Sequence, residues 1–165
     1  MNQPTPRSLG YRMPAEWEPQ EAVWLAWPHN VLTWPDGMLS KVEASYVQII
    51  DALHLGQKIK LLVKDAGAEV KVREMLARAG VDLSQVVFFQ IAYQDSWIRD
   101  YGPTFVVNRD LRQLAMVKWT FNAWGNKYDD LLADDKIPYE LNRHLALPMF
   151  ETDIVLEGGS IEVNG

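Results

Sequence analysis

Apolar positions repeat with the period of a helix in two parts of this chain. Between residues 38 and 55 they fall on one helical face, and Gly56 follows as a stop signal. A second helix is predicted from a cap at Asp65 to Ala79, before Gly80. Between and after these helices, short apolar runs bounded by turn residues predict strands. The predicted strands are Glu21–Trp27, Ile59–Val63, Val86–Ala92, Thr104–Asn108, Leu114–Thr120, Ile154–Leu156 and Ile161–Val163.

The remaining segments complete an α/β pattern. Residues 1–20 are rich in proline and polar groups and predict an extended arm over the domain. The run 86–92 shows no alternation, which is typical of a strand buried on both faces. The next two strands form a hairpin around Arg109-Asp110, and 121–126 is a loop. A helical stretch interrupted at Pro138 follows. The order β-α-β-α-β-β-β-α-β-β favours an α/β protein with mixed strand pairings.

Composition narrows the class of protein. The chain has 165 residues, of which 48% are hydrophobic, enough for the core of one ordinary domain. The net charge of −6 argues against binding nucleic acid or anionic lipid. Cysteine is absent, so this chain supplies no disulfide and no thiol nucleophile. No apolar run is long enough for a membrane span, and no signal peptide is recognisable, so we expect a cytoplasmic location.

Cofactor motifs are missing as well. The histidines lack the HExxH and HxH spacings of metal sites and are interpreted as surface or cap residues: His29, His54 and His144. Neither a GxGxxG sequence nor a P-loop is present, which argues against a nucleotide cofactor. We therefore expect neither a metal nor an organic cofactor.

One segment whose side chains could bind a ligand or take part in a reaction follows the predicted strand 86–92. Asp95 and Asp100 place two carboxylates there, together with Trp97 and Arg99. Ligands of α/β proteins bind beyond the carboxyl ends of strands. A carboxylate pairs well with a planar guanidinium, and an indole can form one wall of a cation site. The alternative is a structural turn in which Arg99 pairs with one of the two aspartates.

A second candidate lies near the C-terminal end of the sequence. Glu157 follows a predicted strand and precedes Gly158 and Gly159, which would let a backbone or a ligand approach closely. A carboxyl group held in such a partly desolvated environment can act as a general acid or base. The alternative is a glycine bulge beside a solvated glutamate. Phe121 and Trp124 are more typical of core residues when taken alone.

The last two residues suggest an interrupted hairpin. Asn164-Gly165 is a strong turn signal that follows a predicted strand, and no returning strand is present. We therefore expect a fragment, or one subunit of something larger. The unpaired edge would favour a dimer, a complex with a second segment, or aggregation.

Five stretches taken together resemble the agmatine deiminase family, within the wider peptidylarginine-deiminase-like group. They occur in the family's order and correspond to its N-terminal half. Asn126 stands where a glycine often follows the FNAWG element, and the family's C-terminal half is missing. The five stretches are Tyr11–Gln20, Val23–Pro28, Asp95–Phe105, Trp119–Gly125 and Val155–Gly165.

This resemblance implies a fold and a set of site residues. The fold would be the pentein-type α/β-propeller, in which five ββαβ modules surround a central site. About two and a half modules would be present, as a single incomplete domain over residues 1–165. Asp100 would grip the guanidinium of the substrate, and Glu157 would orient the catalytic histidine and help to hold the substrate. Trp97 and Trp124 would line the pocket, with Asp95 as a support.

The resemblance also implies a reaction. A cysteine thiolate attacks the guanidinium carbon and ammonia leaves, which gives a covalent thiouronium that a histidine-activated water hydrolyses. With agmatine the product is N-carbamoylputrescine, a step towards putrescine. The family's cysteine, histidine and second aspartate come from its other half, so this chain alone would be inactive. The implied partners are a small cationic guanidine and a C-terminal half or another copy. The alternatives are an arginine or peptidylarginine deiminase and a non-catalytic binding or assembly module.

Overall fold

The computed structural model describes residues 4–164, which fall into two compact units. The parallel unit is Gln20–Ile98, and the mixed unit combines Met1–Pro19 with Arg99–Gly165. The strands are β1 (Ala22–Ala26), β2 (Lys58–Val63), β3 (Val86–Gln90), β4 (Thr104–Asn108), β5 (Gln113–Thr120) and β6 (Met149–Val155). The helices are α1 (Met38–Leu53), α2 (Ala66–Arg78), α3 (Ile98–Tyr101), α4 (Ala123–Asn126) and α5 (Ile137–Leu145). Short 3-10 turns lie at Arg7–Leu9, Leu83–Gln85, Asp129–Lys136 and Gly158–Ser160.

The parallel unit is a three-stranded sheet in the order β1-β2-β3, with every pair parallel. The central strand β2 is the most buried, and Leu61 lies opposite Leu25 on one side and Phe88 on the other. Apolar residues of α1 and α2, including Ile50 and Leu76, pack with it in one core. The prediction of mixed pairings is wrong here, because the two helices provide regular crossovers between parallel strands.

The helix boundaries of this unit follow local signals. The Asp65 side chain accepts a hydrogen bond from the backbone N–H of Ala68 at 2.7 Å, as predicted for the start of α2. Gly80 follows that helix with a φ of 86°, a conformation that suits glycine. The first helix ends at Leu53, earlier than predicted, and the N–H of Gly56 turns back to the Leu53 carbonyl.

The mixed unit has a three-stranded sheet in the order β4-β5-β6. Strands β4 and β5 form the predicted antiparallel hairpin, while β6 runs parallel to β5. The N-terminal segment lies against this sheet, where Arg12 forms a bridge with Val107. Tyr11 is buried there and contacts Phe150 edge-on, with ring centroids 5.5 Å apart. Mixed pairing, as predicted, describes this unit.

Three local predictions are wrong. Strand β3 is not buried on both faces, because Val87 is 40% exposed and Gln90 is also exposed, whereas Val86 and Phe89 are buried. Pro138 does not interrupt a helix but lies in the first turn of α5, where its missing N–H needs no partner. The predicted strand at residues 161–163 is not formed. The strand predicted at residues 154–156 begins earlier, at Met149. The predicted turn at 164–165 includes Gly165, which lies outside the described residues.

The prediction of surface or cap histidines is confirmed for His54, which is the C-cap residue of α1, and for the exposed His144. His54 follows α1 and is buried, and its ring lies 3.5 Å from the Asp51 carboxylate. His29 is half-buried against the Tyr93 carbonyl, and burial lowers the pKa of its imidazole. No helix within residues 4–164 has the length and apolar character needed to cross a membrane.

The Asp65 cap can be tested by replacing it with alanine. Asp65→Ala should destabilise the chain by about 0.5–2 kcal/mol, because the Ala68 N–H loses its acceptor at the start of α2. Urea unfolding monitored by circular dichroism measures the change. Asp110→Ala, which removes an acid from the exposed hairpin turn, is the control and should change stability by less than about 0.5 kcal/mol. Equal effects of the two substitutions would contradict the assignment of the cap.

Candidate functional site

The segment that carries the predicted aspartates passes from one unit to the other. Asp95 and Trp97 belong to the parallel unit, whereas Asp100 belongs to the mixed unit. Asp95 is fully buried, and its carboxylate accepts hydrogen bonds from the Thr33 hydroxyl and the Ser96 backbone N–H. Asp95 thus fastens the loop after β1 to the segment after β3, which is a supporting role within this unit.

Aromatic rings lie beside this buried aspartate. The indoles of Trp34 and Trp97 face each other with centroids 6.0 Å apart, and Trp97 is 36% exposed. The sequence singled out Trp97 but missed Thr33 and Trp34. Their only signal was the position of that loop directly after a buried strand, where ligand-binding loops of α/β sheets occur.

Asp100 lies on the short helix α3 and is half-buried. Burial is the largest influence on its carboxyl group and raises its pKa above the ordinary value. The negative charge of Glu157 raises the pKa further, while a hydrogen bond from Trp124 and the charge of Arg99 act in the opposite direction. The mixed unit therefore brings Asp100, Glu157 and Trp124 together.

A close backbone contact brings Glu157 to this position. A Cβ atom added to Gly158 would lie 2.4 Å from the carbonyl oxygen of Arg99, so no other residue fits there without a shift. Gly159, in contrast, has nothing within 4 Å of such an atom. The expectation of a close approach is confirmed for Gly158, and its partner is the residue directly before Asp100.

Trp124 reaches Asp100 from an unusual turn. All residues of α4 have left-handed backbone, with φ of 49° at Ala123, 55° at Trp124, 84° at Gly125 and 59° at Asn126. The Asn122 side chain accepts from the Gly125 N–H at 2.8 Å and supports the turn. The predicted loop is thus a specific left-handed turn.

The left-handed turn explains the residue at position 126. Asparagine tolerates left-handed backbone better than most residues, so Asn126 suits its φ of 59°. Alanine and tryptophan are less suited to it, and each such residue costs about 1–2 kcal/mol. Strained backbone of this kind concentrates at functional sites.

Arg99 does not form its ion pair with Asp95 or Asp100, which was the alternative interpretation of this segment. Its guanidinium lies 3.2 Å from the Glu16 carboxylate, and both side chains are exposed. Arg99 is therefore paired with the N-terminal segment, although its charge still acts on Asp100 against the charge of Glu157. Within residues 4–164 there is no group of three or more histidines, cysteines or acids that could hold a metal ion.

Two carboxylates that repel each other in a partly desolvated place are suited to a cation. A guanidinium fits best, because it is planar and presents five N–H donors to carboxylate oxygens. The neighbouring indole adds an aromatic surface. The fold and these residues together describe an α/β protein whose mixed unit brings two acidic side chains close to an indole.

Comparisons with known proteins identify the family of the chain. The model of the Porphyromonas-type peptidyl-arginine deiminases matches residues 12–165, and the chain belongs to this family. The agmatine deiminase of Stutzerimonas stutzeri is 36% identical over 166 residues, which cover 98% of this chain and 43% of that protein. The sequence-based resemblance is therefore confirmed.

Solved structures give the same result. An agmatine deiminase of Enterococcus faecalis superposes with a TM-score of 0.83 at 31% identity, over 100% of this chain and 44% of that one. A C. jejuni agmatine deiminase variant with substrate bound gives a TM-score of 0.76 at 29% identity, over 94% of this chain and 43% of that one. The chain thus spans less than half the length of these relatives.

The backbone contact at Gly158 predicts a difference between neighbouring glycines. Gly158→Ala should destabilise the chain by about 1–3 kcal/mol, because the new methyl group overlaps the Arg99 carbonyl. Gly159→Ala meets open space and should change stability by less than about 0.5 kcal/mol. Thermal and urea unfolding of both variants measure the difference. Two equally mild substitutions would show that the segment after Glu157 does not pack against Arg99.

The electrostatics of Asp100 predict opposite responses to two substitutions. Glu157→Gln removes a neighbouring negative charge and should lower the pKa of Asp100. Trp124→Phe removes a donor to the carboxylate and should raise that pKa. Carbon-13 NMR of the Asp100 carboxyl group, assigned with Asp100→Asn, measures both changes. Glu162→Gln is the control, and shifts of the same sign in both test variants would contradict the arrangement.

Proposed function

We propose that this chain supplies the guanidinium-binding half of the active site of an agmatine-deiminase-like hydrolase. The observation that carries the proposal is the electrostatic interaction of Asp100 with Glu157, with the Trp124 indole donating to Asp100. The family assignment supports it, because relatives of this chain are agmatine deiminases. A bound guanidinium relieves the repulsion between the two carboxylates, which gives the site a preference for cations.

In the proposed mechanism this chain binds and orients the substrate. Asp100 accepts N–H bonds from the guanidinium and keeps its carbon fixed for attack. Glu157 accepts further N–H bonds and orients a histidine. Within the mixed unit, we propose that Trp124 lines the pocket beside Asp100. The roles of Trp97 as a lining residue and of Asp95 as a nearby support rest on the family resemblance alone.

A second segment supplies the covalent chemistry. The cysteine thiolate of that segment attacks the guanidinium carbon, and ammonia leaves with a proton delivered by the histidine. Water, deprotonated by the same histidine, then attacks the thiouronium carbon and releases the thiolate. Agmatine and water thereby give N-carbamoylputrescine and ammonia, which places the reaction on a route to putrescine. This chain has no cysteine, so we propose that it is inactive alone.

The proposed architecture is an incomplete pentein-type α/β-propeller. The two units would represent about two and a half ββαβ modules of one domain. We propose that a C-terminal half, or another copy of the chain, covers the exposed strands, and that the enzyme works in the cytoplasm. Peptidylarginine is the second candidate substrate, favoured by the description of the matching family model.

An activity assay tests the proposed function. The purified chain should form no ureido product from agmatine, since it lacks a thiol nucleophile. Addition of the C-terminal part of the Stutzerimonas stutzeri enzyme should restore turnover. In the mixture, Asp100→Asn should lower kcat/KM by roughly 30-fold to several thousand-fold, which corresponds to about 2–5 kcal/mol for an unpaired buried cation.

The controls separate the roles of the two chains. Asp153→Asn, on the exposed part of β6, should leave the restored activity unchanged. Turnover by the purified chain alone on the order of 1 per second would contradict the cysteine mechanism. Full activity of the Asp100→Asn mixture would contradict the assignment of the guanidinium site.

A further inference from the structure

A buried lysine lies on β5, close to the turn that carries Trp124. Lys118 is 5% exposed, and its ammonium group lies 2.7 and 2.8 Å from the two carboxylate oxygens of Asp135. Its Nζ also lies 5.6 Å from the centre of the Tyr139 ring, and the Tyr139 hydroxyl donates to Glu151. The lysine is therefore held on two sides, and its charge is neutralised by Asp135.

Asp135 has a second partner, which lies in the segment just before the turn that carries Trp124. One of its oxygens accepts the backbone N–H of Phe121 at 2.7 Å. The same oxygen receives the Lys118 ammonium group, so the ion pair fixes the carboxylate that holds the Phe121 backbone. Phe121 directly precedes Asn122 and the left-handed turn in the sequence.

The Phe121 ring connects this anchor with both sides of the candidate site. It contacts the Trp124 ring edge-on, with centroids 5.4 Å apart, and the Tyr101 ring at 6.0 Å. Tyr101 directly follows Asp100 in the sequence. A left-handed turn that contains alanine and tryptophan persists only where its surroundings hold it. The Asp135 anchor is a contact of this kind at the entry of the turn.

We propose that Asp135 is a positioning residue, whose carboxylate holds the Phe121 backbone so that the Trp124 indole meets the Asp100 carboxylate, while Lys118 neutralises its buried charge. The inference rests on the proposed function, because it assigns Asp135 to the same guanidinium site. A purely structural ion pair would stabilise β5 without any influence on Trp124. The two roles can be separated, because the pair and the Phe121 anchor can be removed independently.

Two double variants of the full 165-residue chain make this separation. Lys118→Met with Asp135→Asn removes both charges but keeps an oxygen acceptor for the Phe121 N–H. Lys118→Met with Asp135→Leu removes the same charges and also the acceptor, with a side chain of similar shape. Any difference between the two variants therefore reports on the anchor and not on the ion pair.

The indole N–H resonance of Trp124 in a proton–nitrogen NMR spectrum is the readout. The resonance is assigned to Trp124 because it disappears from the spectrum of Trp124→Phe. If its chemical shift no longer changes with pH in Asp100→Asn, the pH dependence is due to Asp100. The asparagine double variant should keep this shift, whereas the leucine double variant should lose most of it. The Trp27 indole should be unchanged in both. An unchanged Trp124 titration in the leucine double variant would overturn the proposal.

A further variant covers the case in which the leucine double variant does not fold. Asp135→Glu keeps the charge pair with Lys118 but moves the acceptor by one methylene group, and it should displace the Trp124 resonance and alter its titration. A resonance identical to that of the unaltered chain would overturn the proposal. Agmatine titration of the unaltered chain separates the two claims, since absence of binding contradicts the proposed function while the anchor is judged by the indole titration.

Discussion

The candidate site depends on one close contact between backbone segments. Gly158 lies so near the Arg99 carbonyl oxygen that a Cβ atom would be 2.4 Å from it. Because Arg99 precedes Asp100 and Gly158 follows Glu157, this contact sets two carboxylates beside each other that are distant in sequence. Burial of Asp100 and, to a lesser extent, its repulsion by Glu157 raise its pKa. A cation bound beside both carboxylates would offset their repulsion and favour the ionised form of Asp100, which links the glycine to the proposed function.

The burial of Asp100 near Glu157 and the left-handed turn both reduce the stability of the folded chain. Asp100 binds its proton more tightly in the folded than in the unfolded state, so its contribution to stability falls as the pH rises through its ordinary pKa towards the raised folded value. The left-handed backbone at Ala123 and Trp124 adds strain. Hydrogen bonds to Asn122 and Asp135 offset that strain locally. Such losses are common where a site is shaped for ligand binding.

Local patterns predicted much of the fold and less of the site. The Asp65 cap, the hairpin and the two long helices follow from neighbouring residues alone. Strand β6 was placed too late, because the charged residues in Met149–Val155 hide a strand that pairing with β5 defines. The left-handed turn also depends on partners elsewhere, including Asp135. Asp100 and Glu157 are proposed as site residues through motif resemblance, whereas spacing alone leaves a structural turn and a glycine bulge as alternatives.

The most direct test of the account is an agmatine titration observed at the carboxyl carbons of Asp100 and Glu157. Both NMR resonances should move together and saturate, and the pKa of Asp100 should fall because a bound cation favours the carboxylate. Putrescine, which has no guanidinium, should produce much smaller shifts at the same concentration. Movement of only one carboxyl group, or equal responses to agmatine and putrescine, would contradict a shared guanidinium site.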